Sequence, residues 1–259
     1  MITGTDACRR PTAIGALLRA AAAAGLAEPE VRGLAALVRP GDVCLDVGAA
    51  YGMYSHVLAE LVGRSGAVHA FEPLPVPSRV LRAGARFTGG VVRPHAAALS
   101  ETEHDGHELV LPVRFGLPIH GWAHLGGDRV RRALPGRSRS LRVPVRTVDG
   151  FCAAQGIDRV AFMKVDVEGA EPAVLAGAAS VLARCRPALQ LEIEQRHLDR
   201  YGHGTQRLVA ELRQRYGYRM HTWRLGRWVP ATEVGTAHRN YLFLARPAGD
   251  PHTGLPEPV

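Results

Sequence analysis

Cys44-Leu45-Asp46-Val47-Gly48-Ala49-Ala50-Tyr51-Gly52-Met53-Tyr54-Ser55 reads as a buried strand that runs into a glycine-punctuated turn and then into a helix. About 20 residues further on, Val68-His69-Ala70-Phe71-Glu72-Pro73 supplies a second strand that ends in an acid. Together they describe a site for an adenosine. Glycines at 48 and 52 let a ligand approach the backbone where a Cβ would intrude, and the Glu72 carboxylate can accept both ribose hydroxyls.

Two cofactor classes share this arrangement, and the turn chemistry separates them. A dinucleotide site wants Gly-x-Gly-x-x-Gly so that a pyrophosphate rests on the helix N-terminus, but Ala50 stands where the second glycine belongs. Asp46, two residues before the turn, repels phosphates and suits the α-ammonium of a methionine moiety. S-Adenosylmethionine carries that ammonium beside a sulfonium, so it is the expected cofactor and a nicotinamide dinucleotide is disfavoured. The bland alternative is a tight strand-to-helix turn that holds nothing.

The rest of the chain fits one large α/β domain. From Val43 the pattern alternates: strand 43–47, helix 52–62, strand 67–71, helix 75–86, strand 91–94, and later helix 147–155, strand 160–165, helix 171–183, strand 187–193 and helix 205–215. Such alternation implies right-handed βαβ units and a parallel sheet. Segments 218–224 and 240–245 suggest a closing antiparallel pair. Residues 1–39 read as a helical cap, with helices over about 12–24 and 29–38 and an apolar face of Ile14, Leu17 and Leu18. Residues 40–250 then form the main domain and 251–259 a flexible tail. Between 101 and 146 the rhythm breaks into a Gly- and Arg-rich insertion with strand patterns at 108–113 and 141–145. It either covers a substrate or is a surface insertion.

Charge and cysteine usage narrow the setting. The net charge of +8 favours anionic contacts without choosing one, and the bias to Arg, Ala, Gly and Pro also suits a GC-rich genome. Four widely spaced cysteines have neither metal-ligand nor redox spacing, and no apolar run approaches the roughly 18 residues of a membrane span. A soluble cytoplasmic protein with no membrane contact is expected, and no metal site is assigned.

A second constellation, Met163-Lys164-Val165-Asp166-Val167-Glu168-Gly169-Ala170-Glu171, follows an apolar strand and crowds three carboxylates at the ligand-binding edge of the sheet. Glu171 suits a first helical turn. Asp166 and Glu168 can hold an ammonium, orient a substrate hydroxyl or, with Glu192 and Glu194, bind a divalent cation, unless they are simply hydrated.

These strings, with Ala98-Leu99-Ser100 and Arg146-Thr147-Val148-Asp149 in the same order and intervals, resemble the FkbM-type S-adenosylmethionine-dependent methyltransferases over about residues 40–200. The resemblance implies a class I methyltransferase fold, Rossmann-like, with a seven-stranded mostly parallel sheet flanked by helices. It implies methyl transfer to an oxygen of a sugar, polyketide or other natural-product precursor, some relatives acting on carboxylates. Carried over, Asp46, Gly48 and Gly52 border the methionine portion, Glu72 the ribose, and the segment around Ala97 and Ala98 the adenine, with Ala49, Tyr54, Pro73 and Asp166 also expected to bind the cofactor. The chain departs from the resemblance at Ala50, where relatives often carry asparagine, and after Glu192.

Transfer to a hydroxyl needs a base, and His197, His120 and Glu168 are the candidates, His197 because it follows a strand end. A small-molecule acceptor is expected, and a homodimer is favoured, the helical cap being able to pack on a second subunit or on its own sheet. A nucleic-acid substrate, suggested by arginines at 129, 131, 132, 137, 139 and 142, is disfavoured because no base-methylating motif accompanies them. A non-catalytic partner protein on the same fold is the other alternative.

Overall fold

The computed structural model describes residues 13–114, 117–118, 124–125 and 138–245. The predicted alternation is present from β1 (Val43–Val47) onward: α2 (Met53–Val62), β2 (Ala67–Phe71), α3 (Pro75–Ala85) and β3 (Val92–His95) follow, with α1 (Ala13–Ala23) before them. A short β4 (Ala98–Leu99) leads into β5 (His104–Arg114), β6 (Leu117–Pro118), β7 (His124–Leu125) and β8 (Ser138–Arg146). The alternation resumes with α4 (Val148–Ala154), β9 (Phe162–Val165), α5 (Glu171–Ala176), α6 (Ala179–Cys185), β10 (Ala188–Glu192), α7 (Gln195–Tyr201) and α8 (Thr205–Tyr216). Strands β11 (Tyr218–Arg224), β12 (Arg227–Pro230) and β13 (Asn240–Ala245) close the chain.

The main sheet runs β12-β11-β13-β10-β9-β1-β2-β3. Strands β3, β2, β1, β9 and β10 are parallel, and β13, β11 and β12 add antiparallel at one edge. This is a class I methyltransferase sheet with eight strands instead of the expected seven. The extra strand is β12, joined to β11 by Leu225 and Gly226, both at positive φ (48° and 79°), as a tight two-residue hairpin turn requires. Leucine rarely takes that conformation, so the turn carries no sequence signal.

Alternating residues fill two cores. Leu45, Val47, Met163, Val165, Leu189 and Leu191 pack beneath α4, α5, α6 and α8, while Cys44, Val68, Ala70 and Phe162 meet α2 and the N-terminal segment. The segment 29–36 is a 3-10 helix rather than an α-helix. On α1, Leu18 and Ala22 face the core, whereas Leu17 is 70% exposed and Arg19 pairs with Glu60 of α2 at 2.6 Å.

The insertion is a ribbon. Strands β5 and β8 pair antiparallel over most of their length, with β4, β6 and β7 attached, and Leu109, Leu111, Val143 and Val145 turn inward onto Leu74. Of the arginine cluster, Arg139 and Arg142 are exposed on β8, and Arg129, Arg131, Arg132 and Arg137 lie outside the described residues.

The helix predicted over 171–183 is two helices. The chain leaves helical geometry at Gly177 and Ala178, where the Gly177 carbonyl accepts from the Asp149 amide at 2.9 Å, and the missing Cβ at 177 makes room for the Ser100 carbonyl oxygen. Asp149 caps the second helix, its two oxygens accepting from the amides of Ser180 (2.8 Å) and Val181 (2.9 Å), while Thr147 caps α4 through Gly150. Asp149→Ala leaves two first-turn amides of α6 without their acceptor, and is expected to cost about 1–2 kcal/mol, read as a lower urea midpoint. An unchanged midpoint would show that water replaces the cap without loss.

His95 stacks on both His69 and Phe71, Phe151 packs edge-on against all three, and His69 Nδ1 lies 3.1 Å from His95 Nε2. Burial, with His95 and Arg93 alongside, holds His69 down to about 4, and burial holds His95 below the ordinary histidine range. As pH falls, the unfolded chain takes up these protons near 6.5 while folded His69 resists to about 4. The stack therefore stabilises fully above that range and its contribution is lost as pH falls through it. Unfolding free energy is expected to drop more between pH 7 and pH 5 in the wild type than in His69→Phe. Equal drops would remove the stack from the acid response.

Candidate functional site

The site grows from the crossing of two strand ends. β1 delivers Gly48 at φ +79°, and a Cβ there would fall 1.8 Å from the Asp166 carbonyl oxygen at the end of β9. The amide of Asp166 donates to Val47 O at 2.9 Å, and the amides of Gly48 and Ala49 donate to Phe71 O at 3.0 and 2.9 Å. Glycine at 48 is thus demanded by the protein's own backbone. Gly52 is similar: at φ +92° its missing Cβ makes room for Leu81 of α3.

Ala50 sits at φ +45°, a left-handed conformation that costs an L-residue about 1–2 kcal/mol. Glu72 offsets it. One carboxylate oxygen accepts from the Ala50 amide at 2.9 Å and the other from the Leu74 amide at 2.7 Å, so a single side chain ties the β1 turn to the start of α3. Burial pushes this carboxyl up to about 7 despite the two amides.

Around this knot lies a cavity of about 270 Å³. Phe71, Leu74, Leu99 and Leu109 line its β2 side, with Pro73, Ala97 and Ala98; Asp166, Glu168 and Glu192 line its β9 and β10 side. Gly48, Ala50 and Glu72 lie between. The cavity is therefore apolar at one end and acidic at the other, suited to a ligand with a flat apolar part and a cationic part.

The acidic end is organised from behind. Lys164, 2% exposed, places Nζ 3.1 Å from Asp166 Oδ2. Burial alone would raise Asp166, but the Lys164 ammonium and a hydrogen bond from Glu192 hold it below the usual carboxylate range. Burial and that shared hydrogen bond push Glu192 up to about 10. Glu171 accepts from the amides of Val167 (3.1 Å) and Gly169 (3.2 Å), fixing the loop that carries Glu168. Gly169, at φ +103°, passes so close to His197 O that a Cβ would come within 2.3 Å. His197 lies buried behind this loop on α7, its Nδ1 2.8 Å from Glu168 Oε2.

Of the residues singled out in the sequence, Gly48, Glu72, Pro73, Ala97, Ala98, Asp166 and Glu168 share the cavity wall. Asp46 does not reach it: its carboxylate is buried, accepts from Ser55 Oγ at 2.5 Å and seats the first turn of α2, and burial pushes it up to about 6. Tyr54 faces the opposite way, donating to Glu28 (2.6 Å) and accepting from Gln190 (2.7 Å), with Lys164 Nζ 5.0 Å from its ring centre. Ala49 and Gly52 are behind the wall, and His120 lies outside the described residues. Leu74, Leu109 and the buried Lys164 were not assigned to the site from sequence. The alternation around Leu109 was the one available signal.

Removing the Glu72 carboxylate strands two amides. Glu72→Ala is expected to lower unfolding free energy by roughly 1–3 kcal/mol and Glu72→Gln by less, since the amide oxygen keeps one bond. Urea melts that place the two variants together would contradict this.

Comparison with known proteins places this site in a family. The "Methyltransferase FkbM domain" description matches residues 46–220. Over 158 residues the chain is 35% identical to the 31-O-demethyl-FK506 methyltransferase FkbM of Streptomyces tacrolimicus, the match taking in 54% of this chain and 60% of that protein. The chain thus spans less than two thirds of that relative's length. Among solved structures, the methyltransferase FkbM of Methylobacillus flagellatus KT is 16% identical at a TM-score of 0.47, covering 90% of this chain and 55% of its own. The O-methyltransferase of Bacillus cereus in complex with SAH is 13% identical at a TM-score of 0.45, covering 93% and 94%.

Proposed function

The chain belongs to the FkbM methyltransferase family, and from that premise we propose that it transfers a methyl group from S-adenosylmethionine to an oxygen of a small biosynthetic acceptor. The observation that carries this reading is the two-ended cavity, with an apolar wall, a carboxylate at the middle and acids at the far end. The Streptomyces relative is named for the acceptor 31-O-demethyl-FK506, which supports an oxygen acceptor of natural-product type here.

When bound, S-adenosylmethionine supplies an electrophilic methyl on a sulfonium. Leu74, Leu99 and Leu109 offer an apolar slot for the adenine beside Ala97 and Ala98. Each Glu72 oxygen spends one lone pair on a backbone amide and keeps another for a ribose hydroxyl. Asp166 lines the acidic side of the cavity, is held ionised by Lys164, and opposes the cofactor's positive charge. Glu168 lines the cavity and His197 lies behind it, so Glu168 takes the acceptor's proton and His197 positions it.

Thermal melting tests the cofactor. S-Adenosylhomocysteine is expected to raise the midpoint, by the equivalent of about 2.7 kcal/mol at a hundredfold excess over its Kd, and NADH is expected to leave it unchanged. A rise with NADH alone would overturn the reading. Glu168→Gln should retain S-adenosylhomocysteine binding and lose methyl transfer to a hydroxyl acceptor.

A further inference from the structure

Glu168 and Glu192 line the acidic end of the cavity, His197 reaches them from behind its wall, and each of the three brings one ligand atom within 4.8 Å of the other two. They come from three separate elements: the loop after β9, the end of β10, and α7. Asp166, beside them, is already paired with Lys164.

Two observations distinguish this corner from a hydrated cluster of acids. The His197 imidazole is 5% exposed and its Nδ1 comes within 2.8 Å of Glu168 Oε2, yet that oxygen is buried and has no hydrogen-bond partner, because the two atoms meet without hydrogen-bond geometry. His197 Nε2 is buried and unpartnered as well. Buried polar atoms are ordinarily satisfied, and a carboxylate oxygen set against an imidazole nitrogen with no hydrogen bond between them is relieved by a cation bound to both.

We propose that Glu168, Glu192 and His197 form a binding site for a divalent transition-metal ion of the Mn²⁺ or Zn²⁺ class, at the acceptor end of the cavity. An imidazole beside two carboxylates suits these ions better than Mg²⁺ or Ca²⁺, which prefer oxygen alone. Ligand atoms at about 2.1 Å from one ion stand ~3–4 Å apart, so the three side chains need only small rotations to close on it. The ion's purpose rests on the methyl-transfer reading. It holds the acceptor oxygen and makes its proton more acidic, while the second oxygen of Glu168 receives that proton.

The test uses the full chain, stripped with a chelator. Calorimetric titration with MnCl₂ and with ZnCl₂, and loss of the aqueous Mn²⁺ paramagnetic signal, are expected to show one ion per chain. Glu192→Gln and Glu168→Gln should each weaken binding at least ~10-fold. Glu211→Gln, on the exposed face of α8, should leave it unchanged, and far-ultraviolet dichroism checks that each variant is folded. Failure of the wild type to bind either ion overturns the site, and so does wild-type affinity in both glutamine variants. S-Adenosylhomocysteine is titrated into the same samples. Binding of S-adenosylhomocysteine by a chain to which neither ion binds overturns the site and leaves the methyltransferase reading standing; binding of an ion by a chain that does not take S-adenosylhomocysteine supports the site and removes the cofactor reading.

Discussion

The close pass of Gly48 against the Asp166 carbonyl is the constraint on which the rest of the site depends. It lets the turn after β1 and the exit from β9 occupy adjacent space, with Asp166 N bonded to Val47 O on one side and Phe71 O receiving two amides on the other. Three strand ends are thereby held at fixed separation. The loops that leave them, carrying Ala50, Glu72 and Glu168, diverge outward, and the cavity is the space between. A larger residue at 48 would have to separate β1 from β9, which are in register along their length.

Ala50 shows how this geometry is sustained by a remote residue. Its left-handed backbone is unfavourable for alanine, whereas asparagine tolerates such a conformation. In this chain the Glu72 carboxylate holds the amide in place instead, from 22 residues away. Glu72 consequently has both a structural and a ligand-facing part, and its loss is felt in folding as well as in binding.

How much of this was legible follows from which forces are local. Strands β1, β2, β11 and β13 were readable to the residue, since apolar runs bounded by turns leave little choice. The break at Gly177 was hidden because it depends on Asp149, distant in sequence, and the ribbon of β5 and β8 because its pairing is long-range. Helix α7 lacks an N-cap side chain, although Gly202 at its left-handed end was a stop signal that periodicity alone overlooked. Within the site, Glu72, Asp166 and Glu168 could be read from motif position. Asp46 and Tyr54 could not be separated from them, because whether a side chain after a strand turns toward the cavity or under the helix is decided by partners such as Ser55, Glu28 and Gln190.

That last group of partners has a consequence for assembly. Glu28 accepts from Tyr54, 26 residues away, and from Asn240, 212 residues away, while Tyr54 is bonded to Gln190 across 136 residues. Asn240 opens β13, which lies between β10 and β11 and so enters the sheet in its interior after both neighbours have been made. Glu28, made long before it, therefore finds its complete set of partners only when β13 has been inserted. Docking of residue 28 is a register of completion, joining an early and a late part of the folding sequence at one carboxylate.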